Sequence, residues 1–486
     1  MSEPSALAGL EPALVWEHFA ELTRIARPSK EEAAVREHVL AWAAARDLDT
    51  TVDAEGNVVV RVPAHVGREG APPVVLQSHL DMVCERDPDS PYDPREGRIN
   101  VVVAGDWVLA QGTTLGADNG IGVAASMAVA DDPAIERGPL ELLFTVSEEQ
   151  GLDGAKALDP SLVTGRVLVN LDGTSDNAVT VGCAGSVHTF VRVRLELEPH
   201  PPDHVALDVV LSGAHGGHSG GDIASGRVNA IKALGRVLTR SFEQEPFRLA
   251  SFAGGVSRNA IPREARAVVL LEPDAEPAFR AAAEQELAAL REQYRGFDDG
   301  LVLPLERVDE VAVGSERATS RVLDLITAIP TGVIAMSPEL AGVVETSTSL
   351  TVATTDDEVL TLASMTRSSN APALEDVAAT IAASARLAGA AIEIVRAYPP
   401  WRPDLDSQLL ESAKATYSRL FGVEPALTVV HGGLECAVIG GKLPGVEMIS
   451  IGPEIVGPHA PGERLSIPGT QRFYRLLGAL LDDLSR

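Results

Sequence analysis

The stretch PVVLQSHLD, residues 73–81, places a histidine and an aspartate directly behind an apolar run. Such a run is typical of a strand that is buried on both faces, as in a parallel sheet. Two similar runs follow at residues 141–146 and 166–171, and a small apolar segment at 120–130 predicts a buried helix between the first two. Strands that alternate with helices favour an open α/β sheet.

Upstream of this stretch the sequence predicts two helices and a hairpin. Apolar residues recur at three-residue spacing over 14–27, which favours an amphipathic helix. Ser29 and Glu32 have the spacing of a capping box, so they predict the start of a second helix. Residues 51–63 predict two short strands around a turn at 55–57.

Downstream, the pattern changes and then returns. Apolar and charged residues alternate over 191–197, as in a half-exposed strand, and the strands and helices that follow favour an α+β domain. Three prolines within 398–403 end this region, after which the first pattern resumes. We therefore predict an α/β domain, with a central mixed sheet flanked by helices, that is interrupted by an inserted α+β domain. The first part, the insert and the second part are predicted at residues 1–186, 187–398 and 399–486.

The composition indicates a globular protein and excludes several kinds of partner. The 486 residues include 69 acidic and 40 basic ones, for a net charge of −29 with neutral histidines, and 45% are hydrophobic. Phosphate backbones and anionic membrane surfaces attract basic stripes, so we expect neither nucleic acid nor a membrane as partner. Three scattered cysteines, no signal-peptide pattern and no apolar run of about 20 residues favour a protein of the reducing cytoplasm.

Five short motifs place metal-ligand residue types just after apolar segments. In open α/β sheets, sites collect beyond the carboxyl ends of the strands. Burying several acids there without a cation would be costly, and two histidines with several carboxylates suit Zn²⁺, or Mn²⁺ and Co²⁺. The motifs are His79-Leu80-Asp81, Gly116-Ala117-Asp118-Asn119-Gly120, Ser147-Glu148-Glu149-Gln150-Gly151, Asn170-Leu171-Asp172-Gly173 and Gly457-Pro458-His459.

The spacing within these motifs favours a pair of ions. His79 and Asp81 share one face of an extended segment, so the carboxylate can accept the second N–H of the imidazole. Two ions about 3.5–4 Å apart need a bridging carboxylate and share a water, for which the unused member of the pair Glu148 and Glu149 can serve as general base. Each motif alone is more simply a cap or a solvated loop. Their coincidence in one predicted domain favours the metal centre.

The order of longer motifs resembles that of a known family. LQSHLDMV, GTTLGADNGIG, SEEQGLDGA, GCAG, GGHSGGDI, HGGLEC and ISIGPEIVGPHAPGERL follow one another almost from end to end. In this the chain resembles the aminoacylase/dipeptidase clan of cocatalytic metallopeptidases, and within it the bacterial X-His dipeptidases, which are also known as aminoacyl-histidine or carnosinase-like dipeptidases. The resemblance implies two domains, one that binds metal and an inserted lid.

The resemblance also implies a ligand set for two divalent ions, with zinc expected and manganese or cobalt as alternatives. His79 and Asp172 would bind one ion. Glu149 and His459 would bind the other, and Asp118 would bridge both.

Three further residues of these motifs take catalytic roles by the same resemblance. Asp81 would orient His79, and Glu148 would be the general base that takes a proton from a metal-bridging water. His218 of the lid would stabilise the oxyanion, in many relatives from a partner subunit, so a homodimer is expected. In relatives the peptide bond that corresponds to Asp118–Asn119 is cis.

Four lid or loop residues match positions that hold the substrate. Asn259 and Arg367 would hold the substrate's end, and Gly432 and Gly433 would offer backbone donors. A turn residue and a solvated arginine remain the simpler interpretations of Asn259 and Arg367. His431 either lines the pocket or ends a strand.

Two other residues near these motifs have simpler interpretations. His215 is expected to be a loop residue, and Glu435 is expected at a helix start.

The predicted function is hydrolysis of dipeptides such as Xaa-His, of the β-Ala-His type, with a small peptide as the only substrate partner. An N-acyl amino acid deacylase on the same scaffold is the first alternative. A metal-free descendant that acts as a binding protein is the second. Aminopeptidases with a related metal core are the third, and we expect them to lack an insert of about 200 residues.

Overall fold

A computed structural model of the chain describes residues 6–199, 201, 203–309 and 312–486. The helices of this part are α1 (Ala13–Leu22), α2 (Ala33–Ala44), α3 (Ala117–Asp131), α4 (Asp153–Ala157), α5 (Ala230–Gln244), α6 (Glu276–Gln293), α7 (Glu316–Ala328), α8 (Ala371–Leu387), α9 (Gln408–Phe421), α10 (Glu435–Lys442) and α11 (Ile467–Leu484). The strands are β1 (Asp49–Val52), β2 (Val58–Val62), β3 (Val74–His79), β4 (Val101–Ala104), β5 (Trp107–Ala110), β6 (Leu140–Thr145), β7 (Val167–Asn170), β8 (Ala178–Cys183), β9 (Gly185–Arg194), β10 (Val205–Leu211), β11 (Gly217–His218), β12 (Arg248–Gly254), β13 (Ala260–Ile261), β14 (Ala265–Leu271), β15 (Leu305–Val308), β16 (Gly332–Met336), β17 (Val344–Asp356), β18 (Val359–Ser368), β19 (Ala391–Tyr398), β20 (Ala426–Val430), β21 (Glu447–Ser450), β22 (Ile455–Val456) and β23 (Arg464–Ser466).

The chain folds into two compact units. The first contains Met1–Gly182, Trp401–Val430 and Leu434–Arg486, and the second contains Cys183–Pro400 and His431–Gly433. Their assignment to a metal-binding domain and a lid stays a prediction. None of the helices in the described residues is both long and apolar enough to cross a membrane.

The first unit is built on a mixed sheet of eight strands in the order β1-β2-β6-β3-β7-β21-β8-β20. β3 pairs in parallel with β6 and β7, and β21 pairs in parallel with β7, whereas β2 pairs antiparallel with β1 and β6. Every residue of β3 and β6 is buried, which explains their apolar runs. α3 packs against β3, and α1 packs against α3.

The register of the parallel strands brings their carboxyl ends together. His79 lies beside Thr145 across β3 and β6, and Gln77 lies beside Asn170 across β3 and β7. The residues that follow these strands therefore leave the same edge of the sheet. This arrangement agrees with the predicted α/β architecture, in which the motifs lie at the ends of the strands.

The second unit is built on an antiparallel sheet of nine strands. The strand order is β15-β10-β14-β12-β17-β18-β9-β19, and β16 pairs with β17. Apolar side chains of α5, α6, α7 and α8 form one core with alternate residues of the sheet, among them Val191, Val193 and Leu362. Because helices gathered against an antiparallel sheet are the mark of an α+β domain, the predicted fold class is confirmed for both units.

Alternation within the strands assigns a second set of side chains to the other face of this sheet. Val191 and Leu362 are paired and belong to the core, so residues an odd number of positions away point to the opposite face. This set includes His188, Met365 and Arg367, and the register pairs Met365 with His188. The face opposite the helices is therefore partly polar.

The predicted capping box at Ser29 and Glu32 is wrong. α2 begins at Ala33, and no side chain caps its first turn. Instead, the Ser29 hydroxyl donates to Asp81 Oδ2 at 2.7 Å, and Glu32 Oε1 accepts from the backbone N–H groups of Lys30 and Ser147, both at 2.8 Å. Each side chain has a partner from a distant part of the chain, and neither bonds to the other residue of the predicted box, so the local spacing was misleading.

Candidate active site

Three parallel strands of the first unit end in the predicted site residues. His79 is the last residue of β3, Glu148 and Glu149 follow the end of β6, and Asp172 follows the end of β7. All four residues lie at the shared carboxyl edge of the sheet. This is the position at which open α/β sheets hold their sites.

Two other segments complete the cluster. Asp118 lies in the first turn of α3, and its peptide bond with Asn119 is cis, as the resemblance implied. His459 lies in the turn between β22 and β23, where its φ of 67° is in the left-handed region. The cluster is thus assembled from five separate segments of one unit.

The carboxylate of Asp118 stands between two sets of ligand-type atoms. Its Oδ1 lies 3.1 Å from His79 Nε2, and its Oδ2 lies 3.3 Å from His459 Nε2. His79 Nε2 is also 3.5 Å from Asp172 Oδ1, and His459 Nε2 is 3.0 Å from Glu149 Oε1. Within each three-residue set the ligand atoms lie within 4.8 Å of one another, so each set could hold one ion.

The carboxylates of the cluster lie close enough together for added positive charge to stabilise them. Burial, and then the Asp118 carboxylate, raise the pKa of Asp172 to about 8. Hydrogen bonds to Asp118 and Glu149 raise the pKa of His459 to about 11. Carboxylates packed this closely are stable only when cations or protons compensate them. A set of two imidazoles and three carboxylates suits divalent ions such as zinc, manganese or cobalt.

Asp81 holds two parts of the cluster in place. His79 Nδ1 lies 3.1 Å from the backbone oxygen of Asp81 and 3.3 Å from its Oδ1, so both groups orient the imidazole with Nε2 toward Asp118. The same carboxylate accepts the backbone N–H groups of Glu148 and Glu149 at 3.0 and 3.2 Å. Burial would raise the pKa of Asp81, but the hydrogen bonds from His79 and its other donors outweigh burial and lower it to about 2. The lowered pKa favours the anionic form of Asp81, whose carboxylate contacts both segments.

Glu148 differs from Glu149 in its surroundings. Burial and the nearby carboxylates of Asp172 and Glu149 raise the pKa of Glu148 well above its usual range, although His79 opposes this. A carboxyl group with a raised pKa is suited to accept and return a proton near neutral pH. Glu148 also lies within ligand distance of His79 and Glu149, whereas only Glu149 forms a set with Asp118 and His459.

Sequence reasoning missed Glu463, which fixes the loop that carries Asp118. Glu463 is buried, and its carboxylate accepts four backbone N–H groups, those of residues 115–118, at 2.8–3.3 Å. Glu463 lies four residues after His459, so the same short segment carries both the imidazole and the carboxylate that binds residues 115–118. Backbone N–H donors cannot be identified from the residue types in a sequence. The only available sign of the role of Glu463 was its position at the end of the motif GPHAPGE.

We expect Glu463→Gln to lower the free energy of unfolding by about 2–5 kcal/mol. The amide keeps one acceptor oxygen but turns an NH₂ group toward N–H donors, and each buried donor left unpaired costs about 1–3 kcal/mol. Urea denaturation measures the change, with the exposed Glu454→Gln as control. Equal stability of the two variants would contradict this account.

Arg27 is a second residue that sequence reasoning missed. Its side chain is buried, and it donates to the backbone oxygens of Leu80 and Asp81 at 3.1 and 3.0 Å and also to that of Gly116. It therefore ties the loop after β3 to the loop before α3. All three acceptors are backbone oxygens, which again no sequence pattern reveals.

The second unit buries Arg367 almost completely, at 4% exposure. Its guanidinium contacts the Tyr398 hydroxyl and Met365 Sδ, both at 3.4 Å, and Nε has no hydrogen-bond partner among the described residues. The solvated interpretation of Arg367 is therefore wrong. No salt bridge joins Arg367 to an acid among the described residues, and burial lowers its pKa against the opposing effect of Tyr398. The guanidinium is therefore suited to receive an anion from a ligand.

His218 is held as a hydrogen-bond donor. Its Nδ1 accepts the backbone N–H groups of Gly220 and Gly221 at 3.2 and 3.0 Å, so Nδ1 carries no proton and Nε2 does. Burial and the charge of Arg367 lower the pKa of His218, which favours this neutral form. The Nε2–H group is thus available for an oxygen atom of a ligand.

The remaining predicted residues of the second unit lie near these two. Asn259 immediately precedes Ala260, which pairs with His218, but its side chain is exposed and its Oδ1 accepts from Ser257 Oγ at 2.6 Å. Gly433 lies against Tyr398, where a Cβ atom would come within 2.9 Å of the ring. Gly432 lies next to it in the segment 431–433.

The contacts of His431 and His215 bear on their predicted interpretations, and His431 directly follows β20. His431 Nε2 lies 2.7 Å from Ser347 Oγ, and Ser347 pairs with Arg367 across β17 and β18, so His431 belongs to the polar group around Arg367. His215 Nδ1 lies 2.6 Å from Asp298 Oδ1, as a loop residue with its own partner. The predicted metal ligands all lie in the first unit, and the residues predicted for a lid or substrate loop lie in the second.

Comparison with known proteins gives a consistent result. The family model described as peptidase family M20/M25/M40 matches residues 75–483. The chain is 36% identical over 481 residues to the cytosol non-specific dipeptidase of Escherichia coli (strain K12), and the match covers 99% of each chain.

The solved structures that are similar to this one include two bacterial peptidases. Aminoacylhistidine dipeptidase from Vibrio alginolyticus matches with a TM-score of 0.90 and 36% identity, covering 98% of this chain and 97% of that one. Aminopeptidase PepT from Bacillus cereus ATCC 10987 matches with a TM-score of 0.63 and 16% identity, covering 98% and 100%. The latter likeness concerns the fold alone.

Proposed function

The chain belongs to the peptidase family M20/M25/M40, and from this premise we propose that it is a dinuclear-metal dipeptidase acting on dipeptides such as Xaa-His. Similarity along nearly the whole chain to a non-specific dipeptidase and to an aminoacylhistidine dipeptidase supports this substrate class. As a member of the family, the protein is a hydrolase of peptide bonds.

The arrangement around Asp118 carries the proposal. One carboxylate oxygen faces His79 and the other faces His459, and each imidazole has a further carboxylate beside it. Asp118 would therefore bridge two ions, one held with His79 and Asp172 and one with Glu149 and His459. When bound, the two ions supply Lewis acidity, which polarises the scissile carbonyl and lowers the pKa of a bound water.

The chain's own residues supply the proton transfers. Glu148 would take a proton from the attacking water and return it to the leaving amine. Asp81 would keep His79 oriented and hold the backbone of Glu148 in position. Arg367 would bind the free carboxylate of the dipeptide, with Asn259 and the backbone of Gly432 and Gly433 as further contacts.

We expect His218→Ala to lower kcat by about 100-fold or more, because one preorganised donor to an oxyanion contributes about 3–4 kcal/mol to the barrier. KM should change less, since the donor acts on charge that develops in the transition state. Steady-state kinetics on β-Ala-His measures both, with His215→Ala as a control from the same loop. A kcat equal to that of the wild type would remove His218 from the mechanism.

An N-acyl amino acid deacylase remains the second candidate, because Arg367 would bind the carboxylate of either substrate class. The metal-depleted protein, reconstituted in turn with Zn²⁺, Mn²⁺ and Co²⁺, should be assayed on β-Ala-His, Leu-Gly and N-acetyl amino acids. Turnover of the dipeptides alone supports the proposal, and turnover of the acetylated substrates alone overturns it. Absence of both metal binding and turnover would favour the binding-protein alternative.

The insert does not distinguish the chain from aminopeptidases in the way we expected. PepT shares the fold over its whole length, although it is described as an aminopeptidase. The substrate panel should therefore include a tripeptide, which a dipeptidase would hydrolyse poorly.

The remaining proposals concern the ion and the setting. We propose zinc as the natural ion, a cytoplasmic location and a homodimer. The relative from Escherichia coli is described as a cytosol enzyme, which supports the location. Metal analysis of the purified protein and light scattering after size-exclusion chromatography test the ion and the dimer.

A further inference from the structure

Glu435 is a buried acid to which neither the proposed ligand set nor the proposed mechanism gives a task. It is the first residue of α10 and is 1% exposed. The sequence predicted that Glu435 begins a helix. That position alone does not explain why the side chain is buried, because an acid at the start of a helix can remain exposed to solvent. Burial raises the pKa of Glu435 to about 7.

The carboxylate of Glu435 receives two short hydrogen bonds from two different strands. Its Oε2 accepts from Gln77 Nε2 of β3 and from Thr145 Oγ1 of β6, both at 2.6 Å. Its Oε1 is buried and has no hydrogen-bond partner among the described residues. A single oxygen therefore joins the two strands.

The same chain of hydrogen bonds reaches a third strand. Gln77 Oε1 accepts from Asn170 Nδ2 of β7 at 2.6 Å, and Asn170 Oδ1 accepts from the backbone N–H of Asp172 at 3.2 Å. Gln77, Thr145 and Asn170 are each 0% exposed, so water cannot replace these bonds. Buried networks of this kind fix one geometry when every donor is satisfied.

Each strand residue of the network lies two or three positions before a residue of the metal cluster. Gln77 is two residues before His79, Asn170 is two before Asp172, and Thr145 is three before Glu148. A shift at one of these strand ends would therefore move His79, Asp172 or the proposed base Glu148. Groups behind the ligands of a metal site commonly alter metal affinity about 10–100-fold when removed.

We propose that Glu435 is a positioning residue of the metal centre, which sets the mutual spacing of the ends of β3, β6 and β7 by accepting hydrogen bonds from Gln77 and Thr145. The proposal rests on the proposed function, because it presupposes that the cluster binds metal. It does not require Glu435 to touch metal or substrate.

The test is the affinity of the full-length protein for Co²⁺, measured by competition with a chelating dye and by the visible absorption of the bound ion. We expect Glu435→Ala to weaken Co²⁺ binding by about 10–100-fold and to change the absorption band. Glu435→Gln should restore most of the affinity and the band, because its amide oxygen can accept from the same two donors. Equal loss in both variants would overturn the positioning role.

Glu141 provides a matched control in the same sheet. It is a buried acid of β6 that accepts from Thr164 and Gly165, beyond the opposite end of the strand. Glu141→Ala should lower the unfolding temperature without changing Co²⁺ affinity. If it weakens Co²⁺ binding as much as Glu435→Ala does, the effect is general destabilisation and the proposal fails.

Two further outcomes separate this proposal from the function. If the wild type binds no Co²⁺, the proposed function fails first. A second outcome is that the wild type binds two ions and that the affinity of Glu435→Ala for them differs by no more than about threefold. Only the positioning role is then overturned, because loss of an outer contact should weaken binding at least tenfold. If Glu435→Ala does not fold, Thr145→Val removes one donor at constant volume and should weaken binding in the same direction; unchanged binding would then overturn the proposal.

Discussion

Glu148→Ala should lower kcat on dipeptides by about 10²- to 10⁴-fold while two metal ions stay bound. The substitution removes the group that would move the proton, whereas both proposed ligand sets remain complete. Glu148 is suited to this task because burial and neighbouring carboxylates raise its pKa well above the usual range. In this variant, elemental analysis should therefore find an unchanged metal content, whereas kcat on β-Ala-His should fall.

The control for this prediction is Glu37→Ala, which removes an exposed acid of α2 in the same unit. It should leave both metal content and kcat unchanged. Near-normal hydrolysis by Glu148→Ala would show that another group is the base. Loss of one ion would instead show that Glu148 is a ligand, since it lies within ligand distance of His79 and Glu149.

Arg367→Ala should lower kcat/KM for dipeptides by about 30- to 1,000-fold, mainly through a higher KM. Loss of one member of a buried charged pair commonly costs about 2–5 kcal/mol, and the bound substrate would lose its carboxylate partner. Arg367→Lys should restore little, because an ammonium group cannot form the two parallel bonds of a guanidinium. Comparison of a dipeptide with its C-terminal amide tests the assignment, since the amide should be nearly insensitive to the substitution.

Arg192 offers a control for this second experiment. It lies on β9 of the same sheet, is exposed and pairs with Glu393. Arg192→Ala should leave the kinetics of both substrates unchanged. An equal loss for the dipeptide and its amide in Arg367→Ala would show that the arginine supports the fold of the second unit rather than the substrate carboxylate.

The sequence was sufficient for features that arise from short-range pattern. The apolar run before His79 predicted a buried strand, and β3 is buried at every position. The turn at residues 55–57 predicted a hairpin, and β1 pairs antiparallel with β2. Residue types at strand ends also predicted which side chains would meet, because parallel strands share one carboxyl edge.

The residues that hold the site in place could not be predicted in this way. Glu463 and Arg27 bond to backbone atoms, which are the same in every sequence. Ser29 and Glu32 matched a local pattern, yet each has a distant partner, 52 and 115 residues away. Burial of Arg367 depends on the packing of a whole sheet, so its exposure could not be read from its neighbours.

The position of β21 in the sheet has a consequence for biosynthesis. β7 and β8 follow each other along the chain, but β21 lies between them, and it begins only at Glu447. A ribosome must therefore complete the whole second unit before this sheet can close. His459 emerges later still, so the nascent polypeptide would acquire the last of its five proposed ligands only after the whole second unit has been made. Hydrolytic activity would then be withheld from incomplete chains.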